Sequence, residues 1–334
     1  MVGCHVWLAS TRSENSDGFY RATALGGAAG STLMLLVVPN LFRRPIEFSV
    51  LALVSLGSAG GLWGGRWWRA VVATLAVMAA WAMILTAQTQ SRLQIASARN
   101  LYGWLRVTKD PDAGADRYFL LHNTTLHGEE DRRHPQREVM YYGRSSGLGR
   151  ALAEKQLSAP SLSVGVIGLG TGAIARLLRE EDSIAFYEIN PQVEEFARQY
   201  FSYLATSHSR VVIGDGRIAL EAEANSSFDV LVLDAFNGDA VPIHLLTAEA
   251  GDVYQRRLKP DGLLAIHISN SHVDLRRVAE GLAKSMNRSS KLVSSDDAEW
   301  ALLVSGAAQS SADAIRWTDE RSSLLPLIDW KGTK

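Results

Sequence analysis

The chain has 334 residues, 34 Lys plus Arg against 35 Asp plus Glu, and a single cysteine, Cys4. That length allows roughly two or three domains, and the near-neutral charge argues against a nucleic-acid partner, which would need a basic surface. One cysteine excludes an intramolecular disulfide and a cysteine-rich zinc site, and the eight scattered histidines show no metal-ligand spacing.

Residues 1–21 lack a basic start followed by an apolar core, so they do not read as a signal peptide. Ala22 to Phe42, Phe48 to Gly65 and Ala70 to Gln90 are three stretches free of charged residues, each about long enough to cross a bilayer. Arginines flank them (Arg21, Arg43, Arg44, Arg66, Arg69, Arg92), and Trp63, Trp67 and Trp68 stand where an interfacial aromatic belt would. Small residues from Leu25 to Ser31 suit close packing between membrane helices. The alternative is buried helices of a soluble core. Residues 22–92 are therefore expected to be a membrane domain of about three transmembrane helices, left at the polar segment Ser91 to Asn100.

Leu101 to Leu121 reads as two short strands around a turn at Asp110 to Asp116, a hairpin signal within a small β-domain at 93–140. Glu129 to Arg137 is a charge run, expected as a solvated loop or a lid. The segment 141–308 then alternates strands with helices, the latter expected at Gly172 to Glu180, Pro191 to Leu204, Thr247 to Leu258 and Asp274 to Met286. Two last strands are expected at Lys291 to Ser294 and Glu299 to Ser305, followed by a tail at 309–334.

Within this α/β region, Ser163 to Gly172 (SVGVIGLGTG) describes a buried strand turning sharply into a helix. Glycines at Gly168, Gly170 and Gly172 permit unusual backbone angles and remove Cβ atoms that would hold a nucleotide off the main chain. The same string satisfies a dinucleotide pattern, and some glycine-rich turns bind nothing. Twenty residues after Gly168, the strand Ser183 to Ile189 delivers Glu188, an acid placed to accept ribose hydroxyls. Arg210 to Gly214 runs into Asp215 and Gly216, and Phe228 to Asp234 ends in a further acid. Ligands of open parallel sheets bind beyond the carboxyl ends of the strands, so these groups are expected to line one crevice. Each has a plainer reading: Glu188 a solvated strand-end acid, Asp215 a turn residue, Asp234 a helix or turn cap. His267 and His272 are expected to be structural.

Val164 to Asn270 resembles the class I S-adenosylmethionine-dependent fold, and within it the spermidine synthase (polyamine aminopropyltransferase) family. The motifs that carry this are VGVIGLGTG, FYEINP, VVIGDGR, FDVLVLDAF and LKPDGLLAIHIS. Asn100 to Glu130 resembles the family's N-terminal β-domain, Glu299 to Val304 its last antiparallel strand, and Trp317 to Leu325 the end of bacterial members fused to a membrane domain. The resemblance implies a Rossmann-like α/β transferase fold with a small N-terminal β-domain, preceded by transmembrane α-helices. Residues 1–92 resemble the last part of a longer polytopic region, so the chain is expected to be a shortened or truncated form.

The resemblance further implies that Gly168, Gly170, Gly172, Glu188, Asp215 and Gly216 hold decarboxylated S-adenosylmethionine, or S-adenosylmethionine itself, without a metal. Asp215 would take the adenine amino group, and Asp234 would bind and deprotonate the attacking amine. The segment Asp234 to Pro242 is one or two residues longer than the family pattern, with Asp239 standing for its second acid. His244 reads either as a pocket ligand or as a solvent-facing turn residue. Tyr141 and Tyr142 lie where the family places an active-site tyrosine, whereas Leu126-His127-Gly128-Glu129 does not cleanly match the glutamine or acidic amine ligands of its β-domain.

The implied function is a membrane-bound aminopropyltransferase acting on a polyamine such as putrescine. A methyltransferase on the same fold and a non-catalytic nucleoside-binding membrane protein are the alternatives. Because S-adenosyl compounds are made in the cytosol, a multi-pass protein of the cell membrane with a cytoplasmic α/β domain and an external amino terminus is expected. A homo-oligomer is compatible with the sequence, which does not set its order.

Overall fold

The computed structural model describes residues 16–32, 71, 73–75, 77–78, 81, 93–110, 116–123, 125–134, 140–205, 208–235, 241–270, 272–295, 298–308 and 313–328. The chain divides into two units, Met1–Pro111 and Asp112–Lys334.

In the first unit, helix α1 spans Ser16–Thr32. It begins before the first apolar stretch and takes in Asp17 and Arg21. Among the described residues no helix is long and apolar enough to cross a membrane. The second apolar stretch and most of the third lie outside the described residues. Strands β1 (Gln94–Asn100) and β2 (Gly103–Lys109) form an antiparallel hairpin. Its turn is closed by Asn100 Oδ1, which accepts from the Tyr102 amide at 3.0 Å. A second hairpin lies in the second unit. That hairpin pairs β3 (Arg117–His122) with β4 (Thr125–Asp131) and closes at Asn123, whose φ of 53° is one asparagine tolerates.

The second unit continues with α2 (Gly147–Ser158), β5 (Ser163–Ile167), β6 (Ser183–Glu188), α3 (Pro191–Tyr200), β7 (Ser209–Ile213), α4 (Gly216–Glu221) and β8 (Phe228–Leu233). It ends with α5 (Ala248–Arg257), β9 (Leu258–His267), α6 (Arg276–Ser285), β10 (Arg288–Ser294) and β11 (Glu299–Ser305). The sheet order is β10-β11-β9-β8-β5-β6-β7, parallel from β9 to β7 and antiparallel at β11. In β8, Val230, Leu231, Val232 and Leu233 are all buried, so both faces of the sheet are covered. Each such side chain contributes about 1.5–3 kcal/mol by burial.

Two local departures from expectation have clear causes. The helix expected at Gly172 to Glu180 is only a 3-10 turn, Ala173–Leu177, entered from Gly172 at φ 85°. It ends where the Asp182 carboxylate takes the Arg179 amide (2.9 Å) and side chain, fixing the chain for β6. Conversely, α2 lies outside the ranges where helices were expected. It forms because Ser146 Oγ accepts from the Gly149 amide (3.0 Å), and a Cβ at Gly149 would strike the Gly143 carbonyl. The first turn of α2 thereby lies against Val293 and Trp300. The C-terminal tail is packed: Trp317 is buried, and Asp319 takes a bidentate pair from Arg217 (2.8 Å) and a bond from Thr247 (2.8 Å).

Candidate active site

Four strand ends meet at one edge of the parallel sheet. The Gly168 amide donates to the Tyr187 carbonyl (2.9 Å) and the Asp234 amide to the Ile167 carbonyl (2.9 Å), so β5 is flanked by β6 and β8 as it ends. Gly168 has φ 100°, and a Cβ there would fall on the Asp234 carbonyl oxygen. Gly170, at φ 54°, would put its Cβ 2.9 Å from the His127 carbonyl oxygen of β4. Glycine is therefore required at both positions by the backbone of this chain itself.

Glu188 is buried, and its two oxygens accept from the Leu169 amide (3.0 Å) and the Asn190 amide (2.8 Å). Burial raises its pKa, with the amide bonds from Asn190, Leu169 and Ile189 acting against that rise. The carboxylate that holds the glycine loop in shape keeps lone pairs for a diol. Asp215 caps α4 by accepting from the Ile218 amide (3.0 Å), and its other oxygen meets His244 Nε2 at 2.9 Å. His244 therefore sits with Asp215, half exposed, rather than with Asp234. Gly216 follows Asp215 at the start of α4, where a Cβ would lie 2.5 Å from Ile167.

Asp234 is held by side chains rather than by backbone amides. Tyr142 donates its hydroxyl to Asp234 Oδ2, and His267 Nδ1 lies 2.8 Å from Oδ1. The ring of His267 packs against Tyr141 (centroids 4.5 Å apart) and Trp300 (4.9 Å), which also touch each other. Burial alone would raise the Asp234 pKa; the charge of His267 and the bonds from His267, Tyr142 and Tyr141 outweigh it, holding the carboxyl below its usual range. Burial first, and then the Asp234 charge, push both tyrosine hydroxyls well up, so they remain protonated donors. The result is an ionised carboxylate in a nearly dry aromatic setting, able to attract a cation and take a proton from it.

The structure places Tyr142 against Asp234, and Gly168, Glu188, Asp215 and Asp234 at the carboxyl ends of neighbouring strands. Asp239 lies outside the described residues. His267, expected to be structural, joins the site. The signal was available in the strand register: Leu233 pairs with Ile266, so the next residues of the parallel strands β8 and β9 emerge side by side. His127 was also missed as a site residue. Burial, then the neighbouring His122, push its pKa down to about 4, with Asp234 acting in the opposite direction. A cavity of about 410 Å³, lined by Ala175, Arg179, Asp182, Ile184 and His208 among others, opens at the opposite end of β6 and holds none of these groups.

No family model matches the chain. A stretch of 104 residues is 34% identical to a polyamine aminopropyltransferase of Vibrio vulnificus, covering 30% of this chain and 35% of that protein. Another, of 107 residues, is 35% identical to an N-terminal histidine N-methyltransferase of Emericella nidulans, covering 30% of this chain and 19% of that protein. The chain therefore spans about a third or less of the length of these curated relatives. Among solved structures, a probable spermidine synthase from Corynebacterium glutamicum superposes with a TM-score of 0.52 at 19% identity, over 63% of this chain and 79% of that one. The part of the chain that superposes thus has the α/β fold of a spermidine synthase.

A pH prediction follows from His127. Its pKa falls from 6.5 unfolded to about 4 folded, so the unfolded chain binds a proton in that interval that the folded chain does not. The corresponding stability, at most ~3 kcal/mol, is present above pH 6.5 and lost as the pH falls toward 4. Urea unfolding at several pH values should show a shallower acid loss for His127→Gln than for the unsubstituted protein. Parallel curves would contradict the burial of a neutral ring.

Proposed function

We propose that this chain is an aminopropyltransferase that moves the aminopropyl group of decarboxylated S-adenosylmethionine to an amine of the polyamine class, putrescine being the simplest case. The observation that carries the reading is the buried Asp234 carboxylate, held ionised by His267, Tyr142 and Tyr141 beside the glycine loop. Its support from outside the chain is the partial identity to a polyamine aminopropyltransferase.

The crevice fits a sulfonium nucleoside. Gly168 and Gly170 keep the loop free of Cβ atoms, Glu188 offers acceptor capacity suited to ribose hydroxyls, and Asp215 with His244 offers polar edges suited to adenine. The donor supplies a carbon made electrophilic by the adjacent sulfonium. Asp234 would bind the incoming ammonium and accept its proton; the freed nitrogen lone pair forms the new C–N bond while the C–S bond breaks, and that pair returns to sulfur. Tyr142 and His267 keep the carboxylate fixed and charged while this happens.

Methyl transfer from intact S-adenosylmethionine is the second reading, favoured by the 35% identity to a histidine methyltransferase. Incubation with aminopropyl-labelled and methyl-labelled donors against a panel of amines separates the two, with aminopropyl transfer expected. Asp234→Asn should lower turnover by about 100-fold or more while leaving nucleoside affinity nearly unchanged, whereas Glu188→Gln should weaken nucleoside affinity first. Full activity of Asp234→Asn would contradict the proposed base.

Membrane attachment through the apolar stretches at 22–42, 48–65 and 70–90, with the α/β unit on the cytosolic side, belongs to the same proposal. It is supported by their charge-free length and flanking arginines. Detergent should release the protein from membranes and alkali should not; release by alkali alone would contradict spanning helices.

A further inference from the structure

The C-terminal tail reaches the nucleoside end of the crevice through one acid. Asp319 accepts a forked pair of bonds from Arg217 of α4 (2.8 Å each) and one from the Thr247 hydroxyl (2.8 Å), while its own amide donates to Glu249 Oε2 (3.0 Å). The Arg217 guanidinium and the Thr247 hydroxyl hold the Asp319 carboxyl down to about 2, so it is charged at neutral pH. A lone surface ion pair is worth little, but this one is two-pronged and shared with a third group, which fixes its geometry.

The fork faces the turn before α5. The Arg217 nitrogen that meets Asp319 Oδ1 also donates to the His244 carbonyl (3.1 Å), in the short 3-10 turn Ile243–Leu245. From that turn the His244 ring reaches Asp215, its Nε2 2.9 Å from Oδ2; a carboxylate offers only acceptors, so Nε2 carries the proton. Asp215 Oδ1 is taken by the Ile218 amide (3.0 Å). Both oxygens of Asp215 are thus held, and each keeps a lone pair for a ligand donor.

A chain of contacts therefore runs from the tail to the acid at the end of β7. Resting on the nucleoside half of the function proposed above, we propose that Asp319 is a positioning residue for base recognition: through Arg217 and His244 it fixes the orientation in which Asp215 accepts the exocyclic amine of adenine. Adenine presents an N–H donor at that edge and a 6-oxopurine presents an acceptor. A fixed carboxylate favours the first and repels the second, whereas one free to turn away loses discrimination. The tail has other anchors that do not lead to Asp215: Arg277 of α6 donates to the Asp313 carbonyl (2.9 Å) and the Pro326 carbonyl (3.4 Å).

Calorimetric titration of the full chain with methylthioadenosine and with methylthioinosine, its 6-oxo analogue, tests this. The unsubstituted protein should bind the adenine compound about tenfold or more tightly. Asp319→Asn, which keeps the size but not the charge, and Arg217→Lys, which keeps the charge but not the fork, should each narrow that preference by about threefold or more. Arg277→Gln loosens the same tail elsewhere and should leave the preference unchanged. Binding of methylthioadenosine by each variant also shows that it is folded. An unchanged preference in Asp319→Asn or Arg217→Lys, an equal narrowing in Arg277→Gln, or no preference in the unsubstituted protein would overturn the positioning role and leave the transferase reading standing. Failure of the unsubstituted protein to bind either compound would overturn the nucleoside site itself, and this inference with it.

Discussion

A carboxylate buried at the end of a central strand constrains everything around it. Removing a charge from water costs several kcal/mol unless donors replace the lost solvation, so Asp234 can stay ionised only where the fold brings donors to it. They come from separate places: His267 from the end of β9, and Tyr142 and Tyr141 from the turn before α2. The parallel pairing of β8 with β9 delivers the histidine, and Trp300 and Tyr141 pack against its ring. Trp300 also lies against the start of α2, whose approach depends on glycine at 147 and 149. An acid on β8 thus requires a particular helix entry on the same unit.

The same crevice edge separates into two chemical halves. Gly168, Glu188 and Asp215 end strands β5 to β7 and present backbone and acceptor groups suited to a nucleoside. Asp234, Tyr142 and His267 form a buried aromatic half. His244 belongs to the first half, because Asp215 holds it, and Arg217 fixes its carbonyl (3.1 Å) while tying the tail through Asp319. Gly168 joins the halves, since its missing side chain lets the loop from β5 pass against the Asp234 backbone.

Much of this was legible in the sequence. The apolar runs ending in Gly168, Glu188, Asp215 and Asp234 announce parallel strands because both faces are buried, and ligand chemistry gathers at their carboxyl ends. Helices α3, α5 and α6 fell within the expected ranges. What escaped depended on contacts between distant segments. Nothing in Gly147-Leu148-Gly149 favours a helix until the Ser146 cap and the close approach to Gly143 are known. His267 reads as one more buried strand residue until the β8–β9 register puts it beside Asp234. His127 lies in a polar stretch whose burial comes only from packing on the glycine loop, and the short turn after Gly172 reflects the Arg179–Asp182 clamp rather than local propensity.

The central claim is that Asp234 remains ionised although buried, and carboxyl carbon-13 resonance follows that state directly. With the Asp234 signal assigned by its loss in Asp234→Asn, a pH titration of the full chain should show the ionised shift at neutral pH and no protonation until below about pH 4, the ordinary range for aspartate. Protonation of Asp234 at or above that range would mean that burial outweighs His267 and the tyrosines, and would contradict a carboxylate ready to take a proton from an amine.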